Sequence, residues 1–139
     1  MKVLIDTPIW SLALRRKKAP SREERVLIAE LNELINEVRV ALIGPIRQEL
    51  LSGISNDEQF RILKEELHSF EDLTLTQTDY ERAAEFYNVC RKAGIQGSQI
   101  DFLICSVSVR NEVPIFTTDK DFLSYKKHLP IALYQPRDR

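Results

Sequence analysis

Four acidic residues lie directly after apolar runs of the sequence, or in the first turns of the helices expected to follow them. They are Asp6, Glu49, Asp101 and Asp119. Carboxylates that meet without histidine or cysteine offer only oxygen ligands, which suit hard cations such as Mg²⁺ or Mn²⁺ better than zinc. A bound ion of this kind lowers the pKa of a water molecule and orients a phosphate. These residue types therefore predict metal-assisted hydrolysis of a phosphodiester bond.

The elements that must bring these acids together alternate along the chain. Short β-branched or alternating runs at residues 2–5, 40–43, 72–76, 113–116 and 131–134 are typical of strands, and helical patterns separate them. Strands that alternate with helices, with no hairpin turn, favour a parallel sheet covered on both faces. We therefore expect an α/β fold with three α/β/α layers and a doubly wound, Rossmann-like sheet of five strands.

In doubly wound sheets, ligands bind beyond the carboxyl ends of the strands, at the point where the strand order reverses. Asp6 ends the first predicted strand, and Asp119 follows the fourth within three residues. Glu49 lies in the first turns of the helix after the second strand. Asp101 lies near the start of a helix that is apolar or small nearly all round, where a carboxylate needs a partner. A parallel sheet would place Asp6, Asp119 and Glu49 at one edge, and a cation there would supply the partner that Asp101 needs.

Three of these acids have ordinary structural alternatives. Ser98 and Asp101 have the spacing of a helix capping box, which does not exclude metal ligation. Asp119 could cap the short helix predicted to begin there, and Glu49 could be a solvated helix carboxylate. These alternatives stay open on the sequence alone.

Asp6 is the hardest of the four to explain by a local role. Pro8 suits the first turn of a helix and Thr7 is the predicted N-cap, so Asp6 is left over. Asp79 presents the opposite difficulty, because it also follows a predicted strand and begins a helix, for which Thr78 is the predicted cap. Spacing does not separate Asp79 from the other four acids.

Composition, net charge and the length of the apolar runs indicate the number of domains, the state of the cysteines and the location of the protein. The 139 residues fit a single domain, residues 1–139, and a net charge of −1 gives no general attraction for nucleic acid. Cys90 and Cys105 lie in apolar helical patterns, so we expect buried free thiols, whereas His68 and His128 are expected at the surface. No apolar run has the length of a signal peptide or a membrane span, so we expect a cytoplasmic protein.

Four stretches of the sequence resemble, in order, the acidic motifs of PIN-domain ribonucleases, in particular the VapC toxins of bacterial toxin-antitoxin pairs. They are VLIDTPIW, PIRQELLSGI, SQIDFLICSVSVR and PIFTTDKDF. The resemblance spans the whole chain and implies one PIN-like domain with the sheet order 3-2-1-4-5. In that order the third strand lies at an edge, which places Asp79 far from the reversal between strands one and four.

The resemblance also implies roles for particular residues. Asp6, Glu49, Asp101 and Asp119 would surround one or two divalent ions, Mg²⁺ or Mn²⁺, with Asp6 and Asp101 as the expected direct ligands. Asp121 is a further acid that could share the role of Asp119. Three hydroxyl residues match positions that help hold a carboxylate or a water molecule: Thr7, Ser98 and Thr117.

The implied activity is that of an endoribonuclease, with single-stranded loops of tRNA or ribosomal RNA as substrates. The implied partners are a second copy of the chain, forming a homodimer, and an antitoxin protein that covers the acidic site; no membrane is involved. Trp10, Leu12 and Leu14 could line either protein interface or belong to the core. Four cations are candidates for contact with the RNA backbone, with a solvated loop as the alternative: Arg15, Arg16, Lys17 and Lys18.

Two other classes of function compete with the ribonuclease. A signalling domain phosphorylated on aspartate would need a pair of acids after the first strand, whereas LIDTP offers only Asp6. A non-catalytic PIN-like interaction module would tolerate a degenerate site, whereas every acidic motif is present. The sequence therefore favours the ribonuclease over both.

Overall fold

The computed structural model describes residues 1–14 and 19–138. The four cations considered as RNA contacts, Arg15, Arg16, Lys17 and Lys18, lie outside this part of the chain.

Three parallel strands form the centre of the sheet in the described residues. They are β1 (Val3–Ile5), β2 (Val40–Ala41) and β3 (Ile115–Phe116), in the order β2-β1-β3. On β1, Leu4 pairs with Ala41 on one side and with Ile115 on the other. Every residue of the three strands is buried, as expected for a parallel sheet that is covered on both faces.

The two outer strands expected from the sequence are represented by one parallel bridge each. Leu42 bridges Asp72 beside β2, and Ile115 bridges Leu133 beside β3. Next to Asp72, Glu71 and Thr74 are exposed, so this edge segment buries few side chains that could hold a longer ladder. The α/β fold with a parallel sheet is therefore confirmed, whereas five strands in the order 3-2-1-4-5 are not.

Seven helices surround the sheet in the described part of the chain. They are α1 (Thr7–Leu14), α2 (Arg22–Asn36), α3 (Gly44–Leu51), α4 (Asp57–Leu67), α5 (Gln77–Lys92), α6 (Gln99–Asn111) and α7 (Asp121–Lys126). Helix α2 opens with a capping box, in which the Ser21 side chain accepts from the Glu24 amide. None of the described helices is long and apolar enough to span a membrane.

The predicted cap of α5 is wrong by two residues. Thr76, and not Thr78, is the N-cap, and Asp79 completes a capping box with it. Thr78 and Glu81 have the same spacing as Thr76 and Asp79, so spacing did not distinguish the pairs. Burial does: Asp79 is 1% exposed, and a buried carboxylate requires donors, which the Thr76 amide and hydroxyl supply.

The core beneath α1 contains the single tryptophan. Trp10 is fully buried; its indole nitrogen donates to the Ile5 carbonyl oxygen at 3.1 Å, and its ring centroid lies 5.0 Å from that of Phe70. Trp10 therefore belongs to the core, whereas Leu12 and Leu14 are half-buried. The expected buried free thiols, Cys90 and Cys105, and the expected surface histidines, His68 and His128, are confirmed.

Candidate metal centre

The candidate site lies at the carboxyl ends of β1 and β3. Asp6 follows β1, and its backbone amide donates to the Phe116 carbonyl at 2.9 Å, so the two strand ends stay side by side. The Thr117 hydroxyl, directly after β3, donates to Asp6 Oδ2 at 2.8 Å and accepts from the Asp119 amide at 3.0 Å. One hydroxyl thus links the acid that follows β1 to the acid that follows β3.

Asp119 also belongs to a group of three carboxylates, in which Asp101 and Asp121 are the other two. One oxygen each of Asp101, Asp119 and Asp121 lies within 4.8 Å of the other two. Asp101 belongs to the first turn of α6, whereas Asp121 is the first residue of α7. Carboxylates at this separation repel one another when ionised, and a bound cation would relieve that repulsion.

Asp6 is the most deeply buried acid of the site, with 6% exposure. Burial raises the pKa of Asp6 to about 6, and the negative charges of Asp101 and Asp119 add to the rise. The hydrogen bonds from the Thr117 hydroxyl and the Thr7 amide lower the pKa in part, without cancelling the effect of burial. Among the described residues, Asp6 is thus held in place by hydrogen bonds and has no salt bridge to a cation.

Asp6 also has a local role that the sequence did not indicate. Helix α1 begins at Thr7, one residue earlier than a Thr7 cap would require. The Thr7 amide donates to Asp6 Oδ1 at 2.9 Å, and the amides of Ile9 and Trp10 donate to the Asp6 carbonyl. The prediction that Thr7 is the cap is therefore wrong, because Asp6 occupies the turn that opens the helix.

Asp101 is half-buried and is held by two hydroxyl residues. Burial raises the pKa of Asp101, the Tyr125 and Ser98 side chains lower it, and Asp119 and Asp121 raise it further. The Tyr125 hydroxyl donates to Asp101 Oδ2 at 2.6 Å. The Ser98 hydroxyl accepts from the Asp101 amide at 3.0 Å, so Ser98 caps α6 while the Asp101 carboxylate faces Tyr125.

The alternative cap role of Asp119 is present in a modified form. Helix α7 begins at Asp121, two residues after the predicted start, and Asp119 Oδ1 accepts from the Asp121 amide at 2.9 Å. Asp119 therefore fixes the start of α7, and the same carboxylate remains within reach of its neighbours in the three-acid group.

Glu49 lies on α3, the helix that follows β2. Its side chain is exposed, and among the described residues the carboxylates that lie within 4.8 Å of one another are those of Asp101, Asp119 and Asp121. The role of Glu49 as a ligand stays a prediction.

Asp79, the acid that spacing could not separate from the others, is neutralised elsewhere. Arg110 Nε lies 2.6 Å from Asp79 Oδ1, and although burial opposes ionisation, Arg110 and Thr76 hold the pKa of Asp79 below its usual range. Arg110 is in the last turn of α6, about 13 Å along the helix axis from Asp101. Asp79 therefore stabilises the contact between α5 and α6.

Tyr125 was not singled out by the sequence analysis. It lies four residues after Asp121 on α7, and this helical spacing was the one signal that could have placed it beside the acids. Burial, and then the Asp101 carboxylate, raise the pKa of Tyr125, so its hydroxyl keeps its proton and donates. The spacing on α7 could not predict that Tyr125 would contact α6.

The donor set fits a hard divalent cation. Asp101, Asp119 and Asp121 offer oxygens only, and no salt bridge neutralises these three or Asp6 in the described residues. Beside Asp6, the Thr7 hydroxyl oxygen is buried and lacks a hydrogen-bond partner among the described atoms. A cation with its bound water would supply both the missing positive charge and such a partner.

Comparisons with known proteins identify the family of the chain. The model of the PIN domain family matches residues 3–128. The chain is 29% identical over 124 residues to "Ribonuclease VapC11" of Mycobacterium tuberculosis, covering 86% of this chain and 88% of that protein. The same figures apply to "VapC ribonuclease Mb1587" of Mycobacterium bovis.

Solved structures share the fold at lower identity. The crystal structure of FitAcB from Neisseria gonorrhoeae superposes with a TM-score of 0.76 at 21% identity, covering 96% of this chain and 97% of the other. VapBC2 from Rickettsia felis, bound to a DNA fragment from its promoter, gives a TM-score of 0.75 at 17% identity, covering 96% and 98%. At such identities the likeness shows the fold alone.

Proposed function

The chain belongs to the PIN domain family, and from that premise we propose that it is a divalent-metal-dependent endoribonuclease acting as the toxin of a toxin-antitoxin pair. The observation that carries the proposal is the group of three aspartates, Asp101, Asp119 and Asp121, beside the buried Asp6 at one edge of the sheet. The names of the relatives, both VapC ribonucleases, support RNA as the substrate.

The residues proposed to hold Mg²⁺ or Mn²⁺ are Asp6, Asp101 and Asp119, with Asp121 and Glu49 as further acids of the site. When bound, such an ion lowers the pKa of a coordinated water molecule and offsets negative charge on the scissile phosphate. The rest of the site keeps the carboxylates in place. The Thr117 hydroxyl bridges Asp6 and the Asp119 backbone, and the Tyr125 hydroxyl orients Asp101.

The proposed substrate is RNA with unpaired bases, such as the loops of tRNA or ribosomal RNA. A chain with a net charge of −1 needs local cations to meet a phosphate backbone. Arg15, Arg16, Lys17 and Lys18 follow directly after α1, the helix that Asp6 opens, and we keep them as candidates for that contact.

The proposed protein partners are an antitoxin and a second copy of the chain. Two structural neighbours, VapBC2 from Rickettsia felis and a toxin-antitoxin complex from Klebsiella pneumoniae, support an antitoxin as partner. A cavity of about 320 Å³ lies where α1 and α2 meet the end of α4, with Leu14, Ile35 and Phe70 among its lining residues. This cavity is a candidate seat for an antitoxin segment. The bridges at Asp72 and Leu133 support the further proposal of the sheet order 3-2-1-4-5.

The experiment that tests the activity is cleavage of total cellular RNA by the purified chain, with Mn²⁺ or Mg²⁺ against EDTA. Asp101→Asn is the test variant, and Asp57→Asn, an exposed acid at the start of α4, is the control. We expect discrete cuts, mapped at their ends, that require the metal, are lost in Asp101→Asn and persist in Asp57→Asn. Equal cleavage by Asp101→Asn would overturn the assignment, and no cleavage by folded, metal-bound protein would favour the non-catalytic interaction module.

A further inference from the structure

A buried tyrosine contacts the acidic site through its hydroxyl group. Tyr125 is fully buried, and its hydroxyl donates to Asp101 Oδ2 at 2.6 Å. Tyr125 is on α7, and Asp101 is on α6. In the described part of the chain, this is the one side-chain hydrogen bond that joins these two helices.

The surroundings of Tyr125 fix where its hydroxyl points. The ring centroid lies 4.9 Å from that of Phe102, the residue after Asp101, and 5.1 Å from that of Phe122, the residue after Asp121. On another side, a Cβ atom on Gly97 would collide with the Tyr125 hydroxyl oxygen and would lie 2.8 Å from its Cζ and 2.9 Å from Phe102 Cε2. The close approach of the Gly97 backbone therefore restricts movement of the Tyr125 hydroxyl away from Asp101.

The two helices joined by this hydrogen bond carry acids of the same group. Asp101 is in the first turn of α6, Asp121 is the first residue of α7, and Asp119 lies two residues before α7. A rotation of the Asp101 carboxylate or a shift of α7 would change the separations between the three carboxylate oxygens. Hydrogen bonds that orient a metal ligand commonly affect metal affinity or activity by about 10- to 100-fold when they are removed.

We propose that Tyr125 is a positioning residue for the acidic site: seated against Gly97, Phe102 and Phe122, it holds the Asp101 carboxylate in the orientation in which it shares a divalent cation with Asp119 and Asp121. The inference rests on the proposed function for the identity of the cation. It assigns Tyr125 no contact with RNA and no proton transfer. Its effect is on the affinity of the site for the cation.

The test compares two Tyr→Phe variants that make the same chemical change. Tyr125→Phe removes the donor to Asp101, whereas Tyr134→Phe removes a hydroxyl that donates to the buried Glu30, at 2.5 Å, on α2. The dissociation constant of Mn²⁺ is measured by electron paramagnetic resonance of the free ion. We expect it to rise about tenfold in Tyr125→Phe and to stay within twofold of the parent value in Tyr134→Phe.

A second pair of variants tests the close approach of the backbone. Gly97→Ala places a methyl group against the Tyr125 hydroxyl, whereas Gly44→Ala adds a methyl group with nothing within 4 Å. Weaker Mn²⁺ binding is expected for Gly97→Ala and unchanged binding for Gly44→Ala. Circular dichroism establishes that each variant is folded before Mn²⁺ is added.

The outcomes separate this proposal from the proposed function. If Tyr125→Phe is folded and binds Mn²⁺ within twofold of the parent, Tyr125 does not position the site. If the parent does not bind Mn²⁺, the positioning proposal falls together with the metal site. If Mn²⁺ binds and Tyr125→Phe weakens it, but the parent cuts no RNA, the positioning role stands and the ribonuclease assignment falls. RNA cleavage by Tyr125→Phe should recover toward the parent rate as Mn²⁺ approaches saturation.

Discussion

In the absence of metal, Asp6 is expected to destabilise the folded protein, and its removal should therefore stabilise it. Burial raises the pKa of Asp6 from 3.8 to about 6, so ionised Asp6 is disfavoured in the folded state relative to the unfolded state. A difference of about two pKa units corresponds to about 3 kcal/mol at a pH well above 6. Asp6→Asn keeps the shape of the side chain and removes its charge, at the cost of altering the hydrogen bond with Thr117. We expect a net gain of about 1 to 3 kcal/mol at pH 8 in EDTA.

The pH dependence of this gain has a definite sign. Because the pKa of Asp6 is raised on folding, the folded state binds a proton more tightly than the unfolded state does. The free energy of unfolding therefore includes a favourable contribution from Asp6 below pH 3.8, which is lost as the pH rises through about 6. The Asp6→Asn variant has no carboxylate at this position, so it does not lose this stability as the pH rises. The stability difference between the variant and the parent should be small at pH 4 and should grow up to pH 7.

Asp79 provides a matched control with the opposite sign. It is buried to a similar extent, but Arg110 and Thr76 lower its pKa, so its contribution is present above the unfolded pKa and is lost as the pH falls. Asp79→Asn breaks the ion pair and leaves Arg110 without its carboxylate partner. Because the Arg110 side chain is 34% exposed, we expect a loss of about 1 to 3 kcal/mol, below the range for fully buried pairs.

The measurement is urea unfolding of the parent and both variants in EDTA, at several pH values between 4 and 8. Opposite shifts of the two variants at pH 8 are expected, with the Asp6→Asn gain disappearing toward pH 4. Two results would contradict this reasoning: an Asp6→Asn protein that is less stable than the parent at pH 8, or a gain in the free energy of unfolding that does not change with pH. Either would show that ionised Asp6 does not destabilise the metal-free fold.

Three further outcomes follow from the same site and core. Addition of Mn²⁺ to the parent should raise its melting temperature and EDTA should reverse the rise, because a ligand that binds only the folded state stabilises it; Asp101→Asn should show little of the effect in the same thermal scan. Glu49→Gln should reduce RNA cleavage at least about tenfold at saturating Mn²⁺ without changing the melting temperature, since Glu49 is exposed; unchanged cleavage would remove Glu49 from the site. Trp10→Ala should lower the free energy of unfolding by about 3 to 5 kcal/mol, measured with urea, because it leaves a cavity and an unpaired Ile5 carbonyl oxygen; a loss below about 1 kcal/mol would contradict a core role.

The meeting of Asp6 and Asp119 could be predicted from the sequence because it depends on topology. Acids that follow parallel strands meet at one sheet edge, whatever the details of packing. The same reasoning could not determine how many residues pair at the sheet edges. The run at 72–76 alternates like a strand. It forms one bridge, at Asp72, because the neighbouring residues are exposed and bury few side chains. Pairing at an edge depends on burial by other elements, which alternation does not report.

Contacts between helices could not be predicted from the sequence for a related reason. The bond from Tyr125 to Asp101 depends on how α7 packs against α6 and on the close approach of Gly97. The choice of Thr76 over Thr78 as a cap depends on which carboxylate α6 buries and pairs with Arg110. In both cases a local pattern permitted several partners, and tertiary packing selected one.

The buried acids in the described part of the fold differ in whether an arginine neutralises them. Glu30 and Asp79 are each 1% exposed, and an arginine neutralises each of them: Arg137 lies 2.9 Å from Glu30, and Arg110 lies 2.6 Å from Asp79. Asp6 is nearly as buried, yet in the described residues it receives only a hydroxyl and an amide, and the charges that act on it are negative. Within residues 1–14 and 19–138, the two most deeply buried acids are thus each paired with an arginine, and Asp6 is not. Because an uncompensated buried carboxylate costs stability, this difference supports the proposal that a cation from solution binds beside Asp6.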